Sequence, residues 1–433
     1  FLFFNCQRWD YNNSISKEQV IVEIFFFFLY NEAENKKGMV MNMNNKNWVS
    51  VWGNAVSIAE HHPEAYAKYI TLRYPVYIPF DGDTLRFTFD NYCGSEAVTV
   101  TRATVSAATS PVYEKMPLAC PCKKETICDI TFSKNESVTM EAHQTAVSDP
   151  VSFPVKKGMT LTVSLYFADF TLMQSAVLIT GPLSKGFFSL VDQTHADALP
   201  MDTTKTTNWF YFLSNIELMT AEENHTVICY GDSITAGAWP DYLTLLARQN
   251  PDNHTAFIRR ATSGSRVLRQ YECITYDSYG LKGTNRFPHE IPTTGADTVI
   301  IQQGINDIIH PIGIETNPFR PMSDLPTAKE LIDGYRYYIE EAKKLHLKVY
   351  MGTLLPIFGW RTYATFRDDL RNELNAWIRS AKEIDGCIDF DLALRGSENP
   401  SAFREGFDSG DHLHPSSKAY QAMAECAYEV LRK

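Results

Sequence analysis

The chain has 433 residues, of which 44% are hydrophobic and 21% charged, and its formal net charge is −11. That length exceeds what one ordinary core serves, so two folded domains are expected, with the composition of a globular enzyme. An acidic balance, with a pI near 5.5, argues against a nucleic-acid partner, because such binding depends on clustered Lys and Arg that neutralise phosphates.

Residues 1–38 show no recognisable fold pattern. The apolar run at 20–30 (VIVEIFFFFLY) contains Glu23 and is too short to span a bilayer. It lacks a basic leader and a small-residue cleavage site, which makes it a poor signal peptide. Residues 1–43 are therefore expected to lie outside the folded protein, as a disordered or non-native extension. No stable membrane insertion and a cytoplasmic location are expected.

Residues 44–221 are expected to form an all-β sandwich. Short alternating runs occur at 69–78, 84–89, 97–107, 137–140, 159–167 and 176–180, divided by turns such as Phe80-Asp81-Gly82-Asp83 and Lys156-Lys157-Gly158. Many short β-branched strands at such spacing build sandwiches. Trp48 and Trp52 alternate on one strand face, where they either pack a core or domain interface or stack on sugars. Cys120, Cys122 and Cys128 cluster in ACPCKKETIC. A structural zinc wants four N/S ligands, and with no fourth nearby these residues read as free thiols between strands. The nine cysteines are odd in number and scattered, which does not describe a disulfide scaffold.

Near Thr220 the texture changes, and residues 222–433 alternate apolar strands with helical segments. Strands are expected at 226–230, 255–260, 298–302, 348–354 and 387–390. Helices are expected at 240–249, 328–345, 363–381 and 416–432. That alternation implies a parallel sheet covered on both faces, with ligands bound beyond the carboxyl ends of its strands.

Residues with chemical potential fall at those ends. The first strand runs into Gly231-Asp232-Ser233-Ile234-Thr235, which puts a serine at the N-terminus of the following helix. Exposed N–H groups there favour the negative charge that develops when serine attacks a carbonyl, although capping turns use the same residue types. The second strand ends in Ser263-Gly264-Ser265, where Gly264 is either a plain turn glycine or a backbone donor toward a ligand. After the third comes Gly304-Ile305-Asn306-Asp307, and Asn306 is equally an oxyanion donor or a cap. After the fifth comes Asp408-Ser409-Gly410-Asp411-His412-Leu413-His414-Pro415. A serine needs a base, histidine has the suitable pKa, and a carboxylate must hold the imidazole, so Asp411 and His414 on one turn can supply both. Pro415 is expected to begin the last helix. Reading Asp411, His412 and His414 as metal ligands would crowd a site into one turn. No metal or organic cofactor is expected.

The blocks GDSIT, SGS, GIND and DHLHP resemble the four signature blocks of the SGNH hydrolases, the GDSL-type esterases and lipases, over roughly 226–432. The resemblance implies a flavodoxin-like α/β/α fold with five parallel strands. It implies Ser233 as nucleophile and, through its N–H, as oxyanion donor. Gly264 and Asn306 become the other two donors, His414 the base and Asp411 its partner. The Trp48–Trp52 region, FDNYCGSEAVTVTRATV and FDSGDHLHPS are similar to a two-domain bacterial subgroup of arylesterases or acylhydrolases linked to xylan degradation. The chain departs from that subgroup in the short segment between Gly237 and Trp239, which bears on the pocket beside the nucleophile.

These implications amount to a serine esterase that acts on a small-molecule or oligosaccharide ester. The leading expectation is a short acyl group, acetate on carbohydrate; a lysophospholipid or thioester substrate is the alternative. A carbohydrate-binding protein with an inactive hydrolase domain is the reading from another class. Asp232 and Asp307 are expected to be structural, orienting the nucleophile turn and the loop after the third strand. Trp239, Ile305 and Phe358-Gly359-Trp360 read equally as pocket lining or core. Oligomeric state is not legible.

Overall fold

The computed structural model describes residues 46–59 and 66–432, so the expected N-terminal extension lies outside the described residues. Two antiparallel sheets dominate residues up to Ala221. In one, Gly82–Asp90 lies between Leu213–Ala221 and the short strands Thr145–Val147 and Val151–Val155, and Lys46–Gly53 pairs with Leu213–Ala221 on the outside. In the other, Ile70–Tyr77 and Thr160–Phe167 are central, with full antiparallel register from Thr160↔Tyr77 to Phe167↔Ile70. Alternate residues of these strands, among them Leu72, Tyr74, Val76, Leu85, Phe87, Phe89, Val163 and Leu165, meet in one core, as period-2 side-chain alternation requires.

The expected strand at 97–107 is broken into Val98–Val100 and Arg102–Ala107, which join different sheets. Leu213–Ala221, Val151–Val155 and Gly186–Leu190 are strands that the hydrophobic pattern did not single out. Leu213–Ala221 is buried along most of its length and so lacks the alternation that marks a half-buried strand. Trp48 is half-buried with the Arg86 guanidinium 4.5 Å above its ring, and Trp52 packs against Phe210 at 5.9 Å. Both contacts favour packing over sugar stacking. The described cysteines are unpaired, Cys120 and Cys122 are buried, and burial pushes the Cys120 thiol up to about 12 against the nearby Arg73 charge.

From His225 onward the fold is a five-stranded parallel sheet. Its spatial order is Thr255–Ala261, His225–Gly231, Ala296–Gln302, Lys348–Gly352, Gly386–Ile388. This 2-1-3-4-5 order is the flavodoxin-like arrangement, which places a ligand crevice where the strand order reverses beside the first strand. Helices Trp239–Arg248 and Ser417–Leu431 pack together on one face; Gly283–Glu290, Ala328–Lys344 and Thr365–Ser380 pack together on the other. The helix at Ala328–Lys344 opens with a capping box between Thr327 and Glu330. Pro415 stands outside the last helix, whose N-cap is Ser416 with its hydroxyl accepting from Ala419 N. No helix among the described residues is long and apolar enough to cross a membrane.

Residues Asn47–Lys433 form one compact unit, and buried polar bonds explain why. Arg260, on the second parallel strand, donates to the carbonyls of Asn54 (2.6 Å), Ser214 (2.8 Å) and Glu290 (3.1 Å) and to Asn215 Oδ1 (3.1 Å). Asp241 accepts from Arg259 (2.8 Å), Leu183 N (2.8 Å) and Ser184 Oγ (2.9 Å). Thr180 N donates to the carbonyl of Ala236, three residues from Ser233, so the β-rich region also braces the turn that carries Ser233. Breaking a buried ion pair from one side strands the other charge, at a cost of about 3–5 kcal/mol. Asp241→Ala is therefore expected to destabilise the protein by about that amount, read as a shift in the denaturation midpoint at unchanged slope.

Candidate active site

The turn that carries Ser233 begins where Gly231 ends the first strand. A Cβ there would lie 2.3 Å from the Gln302 carbonyl oxygen and 2.4 Å from Thr235 Oγ1, so nothing larger than glycine fits. Asp232 caps the short helix Ser233–Ala236 by accepting from Ile234 N at 3.1 Å. Ser233 thereby stands at the first helical position, half-buried, with its hydroxyl free to leave the turn.

Ser233 Oγ lies 2.9 Å from His414 Nε2, across 181 residues of chain. His414 Nδ1 lies 2.7 Å from Asp411 Oδ2. The second oxygen of Asp411 accepts from His414 N (2.8 Å), Leu413 N (3.0 Å) and Ser409 Oγ (3.0 Å). Burial pushes the Asp411 carboxyl up, but these hydrogen bonds and the His414 ring outweigh it and hold the group down at about 2. The carboxylate is thus charged wherever the imidazole must be held. Asp408 shapes the same turn by accepting from Gly410 N (2.7 Å) and His412 N (3.0 Å). His412 adopts φ 66, bonds Asp408 through Nδ1 and lies against Gly359. Its ring therefore ties the turn to the neighbouring loop. Among the described residues no group of three or more His, Cys, Asp or Glu is placed to hold a metal ion.

Gly264 has φ +77, and a Cβ there would fall 2.2 Å from the Tyr279 ring, so both conformation and space demand glycine. The N–H groups of Ser233 and Gly264 meet no acceptor among the described residues. Asn306, buried on the helix Ile305–Ile309, gives one amide hydrogen to the Ser265 carbonyl at 3.1 Å. An amide carries two donor hydrogens, so the other remains for a ligand.

Two buried carboxyls and an arginine underpin the site. Asp307 accepts from Val267 N (2.7 Å) and Leu268 N (3.0 Å), so it grips the loop after the second strand rather than the third. Burial pushes its carboxyl up to about 6 and that of Asp232 up to about 7, with the Asp307 charge adding to the latter. Arg286 donates to the Gly231 carbonyl at 2.8 Å and pairs with Glu290 at 2.6 Å. Gln303 bonds Ser265 Oγ (2.8 Å) and accepts from Tyr338 (2.7 Å). Sequence reasoning missed Arg286 and Gln303; the Gly231 carbonyl, Ser265 and Tyr338 that they bond lie on other elements, which no local signal reveals. Trp239 and Ile305 are fully buried in the core, whereas Phe358 is exposed and Trp360 half-buried.

Residues 229–422 match the model of the GDSL-like Lipase/Acylhydrolase family. The fold of this segment is that of a GDSL-like hydrolase domain. The assignment makes the protein a carboxylic ester hydrolase. Solved structures similar to the chain include a GDSL-like lipase from Bacteroides thetaiotaomicron, 20% identical, with 49% of this chain and 89% of that one covered and a TM-score of 0.36. An acetylxylan esterase from Geobacillus stearothermophilus is 16% identical, with 47% and 93% covered and a TM-score of 0.36. None of the curated proteins matches the chain.

A carboxyl whose folded pKa is raised keeps a proton that the unfolded chain has released. Its contribution to stability is full below the ordinary value of 3.8 and is lost as pH rises through about 7 for Asp232. Asp232→Asn keeps an oxygen for Ile234 N and has no charge to bury. Its Tm is expected to decline less than that of the wild type between pH 5 and pH 8; equal declines would remove Asp232 as the source.

Proposed function

We propose that Ser233 is the nucleophile, His414 the general base and Asp411 the residue that orients it, in a two-step hydrolysis of a short-chain, acetyl-type ester carried on a carbohydrate. The observation that carries this reading is the continuous chain from Ser233 Oγ through His414 to a charged Asp411, at 2.9 and 2.7 Å.

A serine hydroxyl attacks a carbonyl only as its proton leaves, and His414 Nε2 is within range to take it. Asp411 fixes the imidazole with Nδ1–H toward the carboxylate, so Nε2 is the free acceptor, and it stabilises the imidazolium that follows. The oxyanion then falls to the N–H groups of Ser233 and Gly264 and to the Asn306 amide. Held rigidly by the helix start, the Tyr279-backed glycine and the Ser265 bond, these donors need no reorganisation when charge develops. The imidazolium returns its proton to the leaving alcohol, and water, deprotonated in turn by His414, releases the acid from Ser233.

Support for a small acyl group comes from crowding beside the nucleophile. Tyr279 closes on Gly264, and Tyr420 on Gly237, where a Cβ would lie 2.2 Å from its hydroxyl. The carbohydrate follows from the resemblance of the sequence blocks to the xylan-linked subgroup. The β-rich region serves mainly as a brace, through Thr180, Asp241 and Arg260.

Hydrolysis of p-nitrophenyl acetate by the wild type and its loss in Ser233→Ala are expected; equal release by both would sink the assignment. Asn306→Ala is expected to lower kcat by about 10²–10³-fold, the usual loss for one oxyanion donor, and near-normal turnover of a folded variant would take it out of that role. A panel of acyl lengths on phenyl and xylose esters should show acetate preferred; preference for long acyl chains would favour a lysophospholipid or thioester substrate.

A further inference from the structure

Around the active site the loops after the second and third parallel strands enclose nitrogen donors that find no acceptor among the described residues. Arg320 is 6% exposed, and its Nε is buried without a partner. Among the described residues no carboxylate or carbonyl accepts from its guanidinium, which only stacks at 4.3 Å over Tyr276 and lies 5.8 Å from Tyr271.

The Nε atoms of Arg259, Arg266 and Arg286 are likewise buried without a partner, but the other buried arginines satisfy the rest of the guanidinium. Arg259 pairs with Asp241, Arg266 with Asp324, Arg286 with Glu290, and Arg371 with Asp368 and Asp391. Arg73, Arg260 and Arg367 donate to backbone carbonyls. A buried cation without an anion is costly, and native proteins pair such charges. Asp324, the nearby acid, is already engaged by Arg266 at 3.2 Å and Arg269 at 3.3 Å.

Further donors share this neighbourhood. Trp360 Nε1 is buried without an acceptor, and Arg361 rests 4.5 Å over the Trp360 ring with no acid or carbonyl among the described residues. Thr362 Oγ1 donates to the Ile309 carbonyl at 3.0 Å and so fastens that loop beside His310. Burial, then the charges of Arg320, Arg266 and Arg361, hold the His310 ring well below its ordinary value, so it adds no positive charge.

The cluster adjoins the oxyanion site along two paths. His310 N bonds the Asn306 carbonyl at 3.1 Å, one helical turn from the amide that faces the oxyanion. On the other path, Arg320 lies over Tyr276, Tyr276 stacks with Tyr279 at 5.7 Å, and Tyr279 is the ring against Gly264.

We propose that Arg320 is an anion-recognition residue of the substrate site, and that the ester this enzyme hydrolyses carries a carboxylate that the guanidinium receives. The inference rests on the esterase reading and narrows its substrate class to acidic esters. A planar fork of N–H donors suits a carboxylate, aromatic walls exclude water from the pair, and charge-assisted hydrogen bonds are the strong ones. Because the acyl group is acetyl, the carboxylate sits on the alcohol side of the scissile bond, and an acyl-side pair serves as the control.

The test compares kcat/KM for p-nitrophenyl hemisuccinate against p-nitrophenyl butyrate, and for 4-acetoxybenzoate against phenyl acetate. The wild type is expected to favour 4-acetoxybenzoate, the anionic member of the second pair. Arg320→Met should lower that anionic-to-neutral ratio by about 10–100-fold, the worth of hydrogen bonds to a charged group. Arg320→Lys should restore part of it. Calorimetric titration of Ser233→Ala with benzoate and succinate, and with benzamide as the neutral control, reads the site without turnover. Saturable anion binding that disappears in Ser233→Ala/Arg320→Met is expected. Ratios identical in wild type and Arg320→Met, or an absence of saturable anion binding, would overturn the proposal. Equal ester release by wild type and Ser233→Ala would instead overturn the hydrolase mechanism, and the titration would still decide the role of Arg320.

Discussion

The carboxyl end of the first parallel strand has no room for a side chain, and the active site is built on that shortage of space. Gly231 runs so close to the third strand that a Cβ would collide with the Gln302 carbonyl oxygen at 2.3 Å. The same residue's carbonyl is held by Arg286 at 2.8 Å and by Thr262 N at 3.2 Å. With position 231 pinned from both sides, Asp232 must cap and Ser233 must start the helix. The hydroxyl consequently emerges where the order of strands reverses, the place a sheet of this topology leaves open for a ligand.

His414 arrives from the far end of the chain, and the precision of its placement is local. The turn from Asp408 to His414 is stitched by side-chain carboxylates that accept backbone N–H groups, and Asp411 orients the His414 ring with the oxygen left over. Such a turn is rigid before any substrate arrives, which is the condition for useful electrostatic catalysis. The last helix, capped by Ser416, then packs against Trp239–Arg248 and carries the turn back to the nucleophile.

Around this centre the protein places an unusual amount of buried charge. Most of it is matched: Arg259 with Asp241 and Arg286 with Glu290 join the layers and hold the strand ends. Asp232 and Asp307 are instead buried carboxyls whose protonation is favoured. Arg320 is a buried cation with only aromatic company. Matched charges rigidify the frame, and the proposed role of Arg320 is to match its charge with a substrate carboxylate. The β-rich region contributes through Thr180 and the acceptors of Arg260, so the nucleophile turn is supported from outside the parallel sheet.

The amino-acid sequence by itself determined the parallel sheet, because each buried strand is a continuous apolar run and each helix repeats with its own period. It also placed Ser233, Gly264 and Asn306 within a few residues of a strand's carboxyl end, and Asp411 and His414 in a block well beyond the helix Phe390–Leu394, because the residue types there are restricted by capping, positive φ or tight turning. The strand Leu213–Ala221 and the break at Thr101 escaped that reading, because burial on both faces erases alternation and sheet membership depends on distant partners. Only the tertiary structure decided that Arg286 and Gln303 lock the strand ends, that Asp307 grips Val267 and Leu268, and that Trp239 belongs to the core. It alone showed Arg320 without an anion among the described residues. The physical reason is common to all of these: a hydrogen bond or an uncompensated charge is a property of two places in space, and sequence records only one of them at a time.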